Sequence, residues 1–517
     1  MSYSVVWFKR DLRAHDHAAL AAAAAQGPLL CLYIVEPRYW REPDTSSQHY
    51  LFIRECLIDL EASLTRRGIS LLLRVGEVVD VLQSLYQVAP FSALFSHEET
   101  GNAFTFERDK AVARWCRGQN VPWSEFTQTG VVRRLASRQG WAQGWEERVT
   151  QPCIPVPDMR PVKLPLASQR LPEATELCVH LFDPPQRQVG GRRQGIRVLH
   201  EFLTKRSAQY SGGISSPLSA PTACSRLSPY LAYGCLSLRE VVQATRRQLA
   251  MLPTDSGRQR KGLQGFMKRL HWHCHFMQKL ESEPEIEWRN MHQGYDGLRE
   301  SEFNHAYLDT LMHGRTGWPL VDACVAMLNA TGWLNFRMRA MLVSVAAYPL
   351  WLHWRPVGLW LARAFLDYEP GIHWSQLQMQ SGTTGINATR VYNPIKQALD
   401  HDPKGVFVRH WLPCMRRVPD AWLFEPWRMP PSVREQYRLS GTCISAPVVD
   451  LESATRQAKQ RLHDRRAQQH VRAAKQGVLE RHGSRLLKPR QQSGKTKPSA
   501  QKEQLGLPFA ADWLTQS

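Results

Sequence analysis

Short apolar runs and longer helical patterns alternate over the first 135 residues of the chain. The apolar runs favour buried β-strands at 3–8, 28–35, 69–74 and 92–96. The periodic stretches between them favour helices at 18–25, 47–67, 79–88 and 103–117. Because strands that alternate with helices at this spacing usually pair in parallel, residues 1–135 are predicted to form a doubly wound α/β domain.

The pattern changes three times in the rest of the chain. Residues 136–195 are rich in Pro, Arg, Gln and Gly and weakly periodic, which indicates an interdomain linker. From 196 to 450 the apolar spacing is helical with almost no strand signal, so an all-α domain is predicted. Residues 451–517 are basic and Gln-rich, and we expect a helix to about residue 482 followed by a largely disordered tail.

The most informative stretch, residues 316–394, places charges among apolar helices. Arg337 and Arg339 open an apolar run. Asp367 and Glu369 follow the next helical pattern, just before it breaks. Charges beside apolar helices are costly unless they are paired or bound to something polar. The spacing leaves two interpretations open, a structural ion pair inside a helical core or a ligand site.

A second polar feature lies at residues 225–228, at the start of a helical pattern. Ser228 suits an N-cap, and Pro229 suits the first helical position. Backbone N–H groups at a helix start, together with hydroxyls and Arg226, attract anions. Taken alone, the segment is also typical of an ordinary capped helix.

Charge and composition narrow the function classes. The 517 residues carry a net charge of +20, which indicates a polyanionic partner, nucleic acid before an anionic membrane. The 18 Trp residues suit either core packing or electron transfer. His271 and His275 share a helix face, but they lack a third ligand at convincing spacing, so no metal is expected.

The cysteines and the first apolar run bear on localisation. No CxxC pair occurs among the 11 Cys, which favours reduced thiols over a disulfide framework or an iron–sulfur site. Lys9 and Arg10 interrupt the first apolar run, so a signal peptide is not expected. No run of about 18 apolar residues marks a membrane span. A cytoplasmic protein is therefore predicted.

The 316–394 stretch resembles the flavin-binding domain of the DNA photolyase/cryptochrome family. The matches are Thr316-Gly317-Trp318-Pro319, Val321-Asp322-Ala323, Thr331-Gly332-Trp333, Arg337-x-Arg339, Trp354-Arg355, Asp367-Tyr368-Glu369 and Tyr392-Asn393-Pro394. The opening VVWFKRDLRAHDHAAL resembles the first strand and loop of the family's light-harvesting domain. The resemblance extends over most of positions 1–430, and it implies that the all-α C-terminal domain binds FAD.

The resemblance also implies which residues bind the cofactor. The FAD-binding candidates are Tyr210, Cys224, Ser225, Arg226, Leu227, Ser228, Arg337, Arg339, Asp367, Tyr368, Glu369 and His373. Residues 225–228 would hold the diphosphate, with Cys224 in place of the family's Thr. An ion pair between Arg339 and Asp367 is expected beside the flavin. His373 stands where the family usually has an Asn that faces flavin N5, and we expect a His there to exchange a proton near neutral pH.

Electron transfer to the flavin in this family usually runs along three Trp residues. The matching positions here are Leu377, Trp354 and Leu311, so two of the three carriers are missing. The catalytic candidates are His373, Trp354, Trp351 and Trp360, with Trp318 and Trp374 as further carriers. A route rebuilt from these side chains and a purely chemical reduction both stay open.

The DNA-facing residues implied by the resemblance are partly substituted. In the helix predicted at 258–280, the family's lesion-contacting Glu and Trp fall at Leu270 and His273. Trp272 lies one position away, and the family's lesion-contacting Asn is Phe336 here. The candidate DNA contacts are Arg269, Trp272, His273, Phe336, Arg390, Lys396 and Gln397.

The function implied by the resemblance is a FAD-dependent, blue-light-driven DNA photolyase that repairs UV-induced pyrimidine dimers. A cryptochrome-like blue-light photoreceptor without repair activity is the alternative, and the substituted lesion readers and the broken Trp route favour it. A DNA-binding flavoprotein without a light function is a third reading. The lesion type does not follow from the sequence.

Two further ligands are implied. A second antenna chromophore, a folate, deazaflavin or flavin, would bind at the loop His97-Glu98-Glu99-Thr100-Gly101-Asn102, which could equally be a solvated loop. Gln504-Leu505-Gly506-Leu507-Pro508-Phe509 resembles a bacterial sliding-clamp-binding peptide, and a solvated tail is the simpler interpretation. The protein is expected to be a monomer.

Overall fold

The computed structural model describes residues 2–386, 390–439 and 444–483. In this part of the chain, six strands form one parallel sheet. They are β1 (Ser4–Phe8), β2 (Pro28–Val35), β3 (Leu71–Val75), β4 (Ala93–His97), β5 (Trp123–Phe126) and β6 (Arg160–Pro161). The order is β3-β2-β1-β4-β5, and β6 pairs with β2. Every residue of β1 and β4 is buried because the sheet is covered on both faces.

Helices surround this sheet and build the rest of the described chain. In chain order they are α1 (Ala18–Gln26), α2 (Ser47–Thr65), α3 (Val78–Val88), α4 (Ala103–Gly118), α5 (Trp141–Thr150), α6 (Ala174–Leu177), α7 (Arg192–Glu201), α8 (Ser207–Gly213), α9 (Ala220–Ala223), α10 (Ser228–Ala232), α11 (Leu238–Met251), α12 (Gly257–Ser282), α13 (His305–Met312), α14 (Pro319–Thr331), α15 (Phe336–Ala347), α16 (Trp354–Ala364), α17 (Pro370–Ser381), α18 (Pro394–His401), α19 (Val406–Trp411), α20 (Pro431–Gln436), α21 (Leu451–Ala467) and α22 (Gln469–His482).

The predicted fold class is confirmed: a parallel α/β sheet region is followed by a helical region. The four predicted strands each lie within two residues of β1 to β4. The sequence did not indicate β5, because its four residues are only half buried and give no apolar run. Within the predicted all-α region, a π-helical turn at Phe202–Arg206 separates α7 from α8.

The segment 136–195 contains more regular structure than its composition indicates. It includes α5, α6 and the short strand β6. Trp141 and Trp145 of α5 are buried, so this part of the segment packs against the protein rather than crossing solvent. The boundaries at 135, 195 and 450 stay predictions.

Proline and glycine set the bounds of two helices in the core of the helical region. Both α14 and α17 have Pro at the first helical position, where the missing N–H costs nothing. Gly332 and Gly382 end them at φ of 64° and 77°, a conformation that glycine adopts without strain. Between these stops, α15 buries nine of its 12 residues. The candidate cofactor residues Arg337, Arg339 and His373 therefore stand on helices that are largely buried.

The helix predicted to about residue 482 is confirmed as the pair α21 and α22. Arg461 of α21 donates to Glu302 at 2.6 Å, and Arg466 donates to the Tyr295 hydroxyl at 3.2 Å. The peptide Gln504–Phe509 lies outside the described residues. None of the described helices is both long and apolar enough to span a bilayer.

Candidate functional site

The predicted ion pair between Arg339 and Asp367 is confirmed. Arg339 projects from α15, and Asp367 lies in the turn between α16 and α17. Two parallel bonds join them, from Nη1 to Oδ1 at 2.9 Å and from Nη2 to Oδ2 at 3.0 Å. Burial raises the pKa of Asp367, but Arg339 and a hydrogen bond from Ser228 outweigh this and hold it below its usual value. The carboxylate is therefore ionised, and both of its oxygens bond to one guanidinium.

Arg226 is a second, partly buried guanidinium beside this pair. Its backbone has φ of 59°, and its side chain lies 3.9 Å from the Trp333 ring centroid. Burial lowers the pKa of Arg226 to about 10, and Asp367 is the carboxylate that opposes this shift. Both Asp367 oxygens already bond to Arg339. Among the described residues, no second carboxylate neutralises the positive charge of Arg226.

Further guanidinium groups converge on Cys224. Arg206 donates to the carbonyl oxygens of Cys224 and, at 3.2 Å, Ser225. Burial raises the pKa of the Cys224 thiol to about 11, so the thiol is neutral at pH 7. Arg226, Arg339, Arg206 and Arg269 each act on this thiol in the opposite direction. The surroundings of residues 224–228 are therefore rich in positive charge.

The predicted N-cap at Ser228 is wrong. Leu227 occupies the cap position with φ of −93° and ψ of −10°, so the chain enters α10 one residue earlier. Pro229 is the second helical residue, and α10 has only five residues. The Ser228 hydroxyl bonds to Asp367 instead of to the backbone. Positive charge at this segment therefore comes from arginine side chains rather than from a long helix.

Tyr210 lies in the same region, as the resemblance implies. Its ring packs against Phe202 and Phe266, with centroids 5.6 and 6.0 Å away. Its hydroxyl bonds to Arg269, and burial raises its pKa. Arg269, a candidate DNA contact, thus contacts a candidate cofactor residue. The sequence did not indicate this, because the two residues lie on different helices.

Tyr368 and Glu369 turn away from the Arg339–Asp367 pair and towards the sheet region. The Tyr368 hydroxyl donates to Asp44 at 2.6 Å. Arg10, just after β1, donates to the Tyr368 carbonyl at 2.9 Å and to Glu369 at 3.3 Å. Burial raises the pKa of Glu369 to about 7, with Arg10 opposing the shift. These two FAD-binding candidates therefore join the helical region to the sheet.

His373 lies near the ion pair but does not titrate near neutral pH. Burial lowers its pKa to about 3, so the proton exchange predicted from its residue type is wrong for these surroundings. Its Nε2 lies 2.8 Å from the Gly358 carbonyl oxygen, which accepts a hydrogen bond. Because a neutral imidazole carries one proton, Nδ1 is left as an acceptor.

A Trp pair extends from His373 into the core. The Trp374 ring lies 4.9 Å from His373 and 5.9 Å from Trp354, centroid to centroid. Trp354 donates Nε1–H to Asn290 at 2.8 Å. The positions that lack a Trp, Leu377 and Leu311, are filled by buried apolar packing.

The other Trp candidates have different surroundings. Trp351 lies beneath two cations, Arg299 at 4.5 Å and Arg461 at 5.0 Å from its ring centroid. Such neighbours disfavour a positive charge on the ring. Trp360 is buried in the helical core, and so is Trp318. Of these candidates, Trp374 and Trp354 form the pair that reaches His373.

The candidate DNA contacts are distributed unevenly between surface and interior. Phe336 is 43% exposed, and Lys396 is exposed beside Asp400 at 3.2 Å. Arg337 and Lys396 both lower the pKa of His401, which places these cations near one another. The remaining candidates are Arg390, which is partly buried, Trp272, which stacks on Phe276 at 5.6 Å, and Gln397, which is buried.

His273 lines a pocket together with Arg10, Glu369 and Glu99. The Nδ1 atom of His273 is buried without a partner, and burial lowers the pKa of the ring to about 4.

Hydrogen bonds hold both ends of the loop 97–102, the predicted antenna site, while residues 98–101 are partly exposed, so the antenna site and the solvated loop both stay predictions. Asn102 caps α4 by accepting from the Thr105 N–H at 3.2 Å. His97 Nδ1 bonds to Asp11 at 2.8 Å, and His17 Nε2 lies 3.0 Å from the same oxygen.

The Asp11, His17 and His97 cluster has the composition of a metal site. His97 Nδ1 and His17 Nε2 both face one Asp11 oxygen, at 2.8 and 3.0 Å. His17 Nδ1 accepts from the Leu20 N–H at 3.0 Å, so the proton of the neutral ring is on Nε2. These contacts hold the loops after β1 and β4 together.

The contact between Glu287 and α4 leads to a pH-dependent prediction. Glu287 accepts from the Ala103 N–H at 2.7 Å. Burial, followed by the charge of Asp44, raises its pKa to about 8 from a reference near 4.5. The folded state then binds a proton more readily than the unfolded state, so stability falls as pH rises from about 4.5 to 8.

Glu287→Gln should remove this pH dependence, because the amide is neutral and keeps an acceptor for Ala103. At pH 8.5 the variant should be more stable by about 1–3 kcal/mol, and below pH 4.5 the two proteins should be about equal. Urea unfolding at both pH values is the measurement, with Glu285→Gln on the same turn, which is exposed, as the control. A variant that is less stable at pH 8.5 would contradict the prediction.

Two family profiles match the chain over the regions described above. The profile for DNA photolyase matches residues 4–139, and the profile for the FAD binding domain of DNA photolyase matches residues 266–464. The chain belongs to the photolyase/cryptochrome family. It therefore carries the FAD-binding domain of this family, and the second profile covers α13 to α20 and most of α12 and α21.

The relatives of this family member include both photolyases and cryptochromes. Cryptochrome DASH of Gloeobacter violaceus is 26% identical over 86% of this chain and 93% of that protein. Deoxyribodipyrimidine photo-lyase of Alkalihalophilus pseudofirmus is 25% identical over 84% and 92%. The crystal structure of a Synechocystis cryptochrome has the same fold, with a TM-score of 0.78 at 21% identity over 89% of this chain and 99% of that chain.

The residues present fit the FAD of this family. The diphosphate is an anion, and Arg226 is a partly buried guanidinium whose carboxylate neighbour is already paired. Arg206 adds a third guanidinium at Cys224 and Ser225. Sequence reasoning missed Arg206 and the Trp333 stack, since nothing in the motif marks a residue 18 positions before Cys224 as part of the site.

Proposed function

We propose that this protein is a FAD-dependent, blue-light-driven DNA photolyase that repairs UV-induced pyrimidine dimers. The observation that carries the proposal is the partly buried guanidinium charge of Arg226 and Arg206 beside the Arg339–Asp367 pair, next to the Trp374–Trp354 contact. This arrangement suits a redox cofactor with an anionic diphosphate and a route for electrons. Bound FAD would supply the light-driven electron that splits the dimer.

The side chains around the cofactor would each have a defined task. Arg226 and Arg206 would neutralise the diphosphate, and Asp367 would hold the Arg339 guanidinium in one orientation. His373 would present an unprotonated Nδ1, which accepts a hydrogen bond and does not supply a proton at neutral pH. The buried faces of α15 and α17 would exclude water from the reacting centre.

Damaged DNA is the proposed partner. Lys396 and Arg390 would contact phosphates, and the exposed Phe336 would also face the DNA. Together with the net charge of +20, these contacts predict that affinity falls steeply as salt concentration rises. The dimer would leave the duplex to reach the flavin, as in other enzymes that act on a base.

A blue-light photoreceptor without repair activity is the second candidate function. The observation that favours it is that Leu270, His273 and Phe336 stand where the family has its lesion-contacting residues. Leu270 is buried, and His273 lines the pocket with Arg10 and Glu369. Cryptochromes are also among the relatives. In this role the same flavin site would respond to light while the substituted positions bind no lesion.

Repair can be tested directly with purified protein that carries reduced FAD. Ultraviolet-irradiated single- and double-stranded DNA would be illuminated with the protein, and dimer content would be measured by chromatography with a dark control. Loss of dimers in the light alone is the expected result. Light-driven flavin reduction without loss of dimers would favour the photoreceptor, and protein that binds no FAD would reject both functions.

Several finer assignments belong to the same proposal. A folate, deazaflavin or flavin antenna at the 97–102 loop would appear in the absorption spectrum of cofactors released from the protein. Binding of a sliding clamp through residues 504–509 would appear as co-elution that is lost when this peptide is deleted. The protein is further proposed to act as a cytoplasmic monomer.

A further inference from the structure

A second concentration of buried positive charge lies away from the residues assigned to FAD, at the C-terminal half of α12. Lys279 is 4% exposed, and its ammonium makes no hydrogen bond or ion pair with a described residue. Its Nζ lies 5.3 Å from the Phe276 ring centroid. An ammonium is costly to bury without a polar partner, so Lys279 is a candidate to bind an anion.

Arg138, just before α5, faces the same place. It is 9% exposed, and only its Nη2 has a partner, the His275 carbonyl oxygen at 3.4 Å. Its Nε and Nη1 are buried without partners. Arg138 acts electrostatically on Lys279, so the two cations lie close together. Two unpartnered guanidinium donors and an ammonium therefore share one buried region.

Two histidines complete the region. His482, the last residue of α22, is 1% exposed and bonds through Nε2 to Glu283 at 2.6 Å. Its Nδ1 is buried without a partner and becomes a donor when the ring is protonated. His275, 6% exposed, is influenced by Lys279, Arg138 and His482.

Glu283 is the carboxylate at this place, and it is already occupied. Arg481 donates to the same Glu283 oxygen, Oε2, at 2.9 Å. Glu283 therefore bonds to Arg481 and His482, and it does not pair with Lys279 or Arg138. Burial and Arg138 lower the pKa of Lys279 to about 7, as expected for an ammonium that has no anion beside it.

We propose that Arg138, Lys279 and His482 bind a small tetrahedral oxoanion, inorganic phosphate or sulfate, between α12 and the end of α22. The donors come from three separate segments of the chain, which suits an acceptor with oxygens in several directions. All three side chains are less than 10% exposed, so a free anion fits better than the backbone of a duplex. Because His482 belongs to α22, the anion would hold this helix against α12.

The test measures sulfate binding by isothermal titration calorimetry at constant ionic strength, using the full chain. Sulfate stays a dianion across the pH range, so changes in affinity report on the protein. The wild type should bind one sulfate, and Lys279→Met should bind it at least about tenfold more weakly, which corresponds to 1.4 kcal/mol. Lys268→Met, the same change at an exposed position of α12, is the matched control and should bind like the wild type.

The pH dependence has a definite sign. Lys279, whose pKa is about 7, must be protonated to attract the anion, while Arg138 stays charged and Glu283 opposes, so affinity should fall as pH rises from 6 to about 8.5. Burial lowers the pKa of His482 and of His275, so these rings add to the attraction at the acidic end of this range. If Lys279→Met fails to fold, amide hydrogen exchange of the wild type tests the proposal instead, because bound sulfate should slow exchange in α22.

Three results would overturn the proposal. They are the absence of sulfate binding to the wild type, equal binding by Lys279→Met, and protection of α22 that a short DNA duplex produces as well as sulfate does. The last result would assign the site to a DNA phosphate instead of a free anion. None of these outcomes depends on flavin or on repair activity, so the site is tested independently of the proposed function.

Discussion

Replacing Asp367 with alanine is expected to lower the free energy of unfolding by an amount near the lower end of about 3–5 kcal/mol, since removal of one partner leaves buried charge uncompensated. The uncompensated charges would be those of Arg339 and Arg226. The FAD content of the purified variant should also fall, because the Arg339 guanidinium loses the two bonds that orient it. Denaturant unfolding and the ratio of flavin to protein absorbance are the measurements.

The double variant Arg339→Met with Asp367→Ala separates charge from packing. It should be more stable than Asp367→Ala alone, because Arg226 is then the one guanidinium of the two that is left without its carboxylate. Asp309→Ala is the matched control, since Asp309 forms an exposed pair with His313 at 3.2 Å and should change stability by less than about 1 kcal/mol. Equal losses of unfolding free energy in Asp367→Ala and Asp309→Ala would contradict the prediction, because the Arg339–Asp367 pair would then stabilise the protein no more than an exposed pair does.

Replacing Trp374 with phenylalanine is expected to remove most of the light-driven reduction of oxidised flavin. Trp374 lies between His373 and Trp354, with ring centroids 4.9 and 5.9 Å away, and Phe is much harder to oxidise than Trp. The rate of loss of oxidised-flavin absorbance under blue light, with an external reductant present, is the measurement. Reduction by dithionite in the dark should be unchanged, because it needs no Trp.

Two matched Trp variants test the route against simple core damage. Trp360→Phe removes a Trp that is also buried in the helical core but has no ring contact with the pair, and it should photoreduce like the wild type. Trp351→Phe should also have little effect, because Arg299 and Arg461 already disfavour positive charge on this ring. Equal rates in Trp374→Phe and Trp360→Phe would reject the Trp374–Trp354 route.

The sequence was sufficient for the elements whose patterns are local. Strands β1 to β4 are apolar runs bounded by polar turns, so their positions follow from periodicity within a few residues. The ion pair between Arg339 and Asp367 was also predictable, since a charge among apolar helices needs a partner and the family motif names both residues. The short, half-buried strand β5 carries too little apolar pattern to be seen this way.

By itself, the sequence determined the two-region fold, the family and the central ion pair, because these depend on periodicity and on motifs that are continuous in the chain. Only the tertiary structure decided the orientation of side chains that meet from distant segments. It turned Tyr368 and Glu369 towards Arg10, placed Arg206 at Cys224, and brought Lys279 beside Arg138. Local periodicity cannot supply these contacts, because the partners lie on separate elements and their pKa values depend on burial by the whole fold.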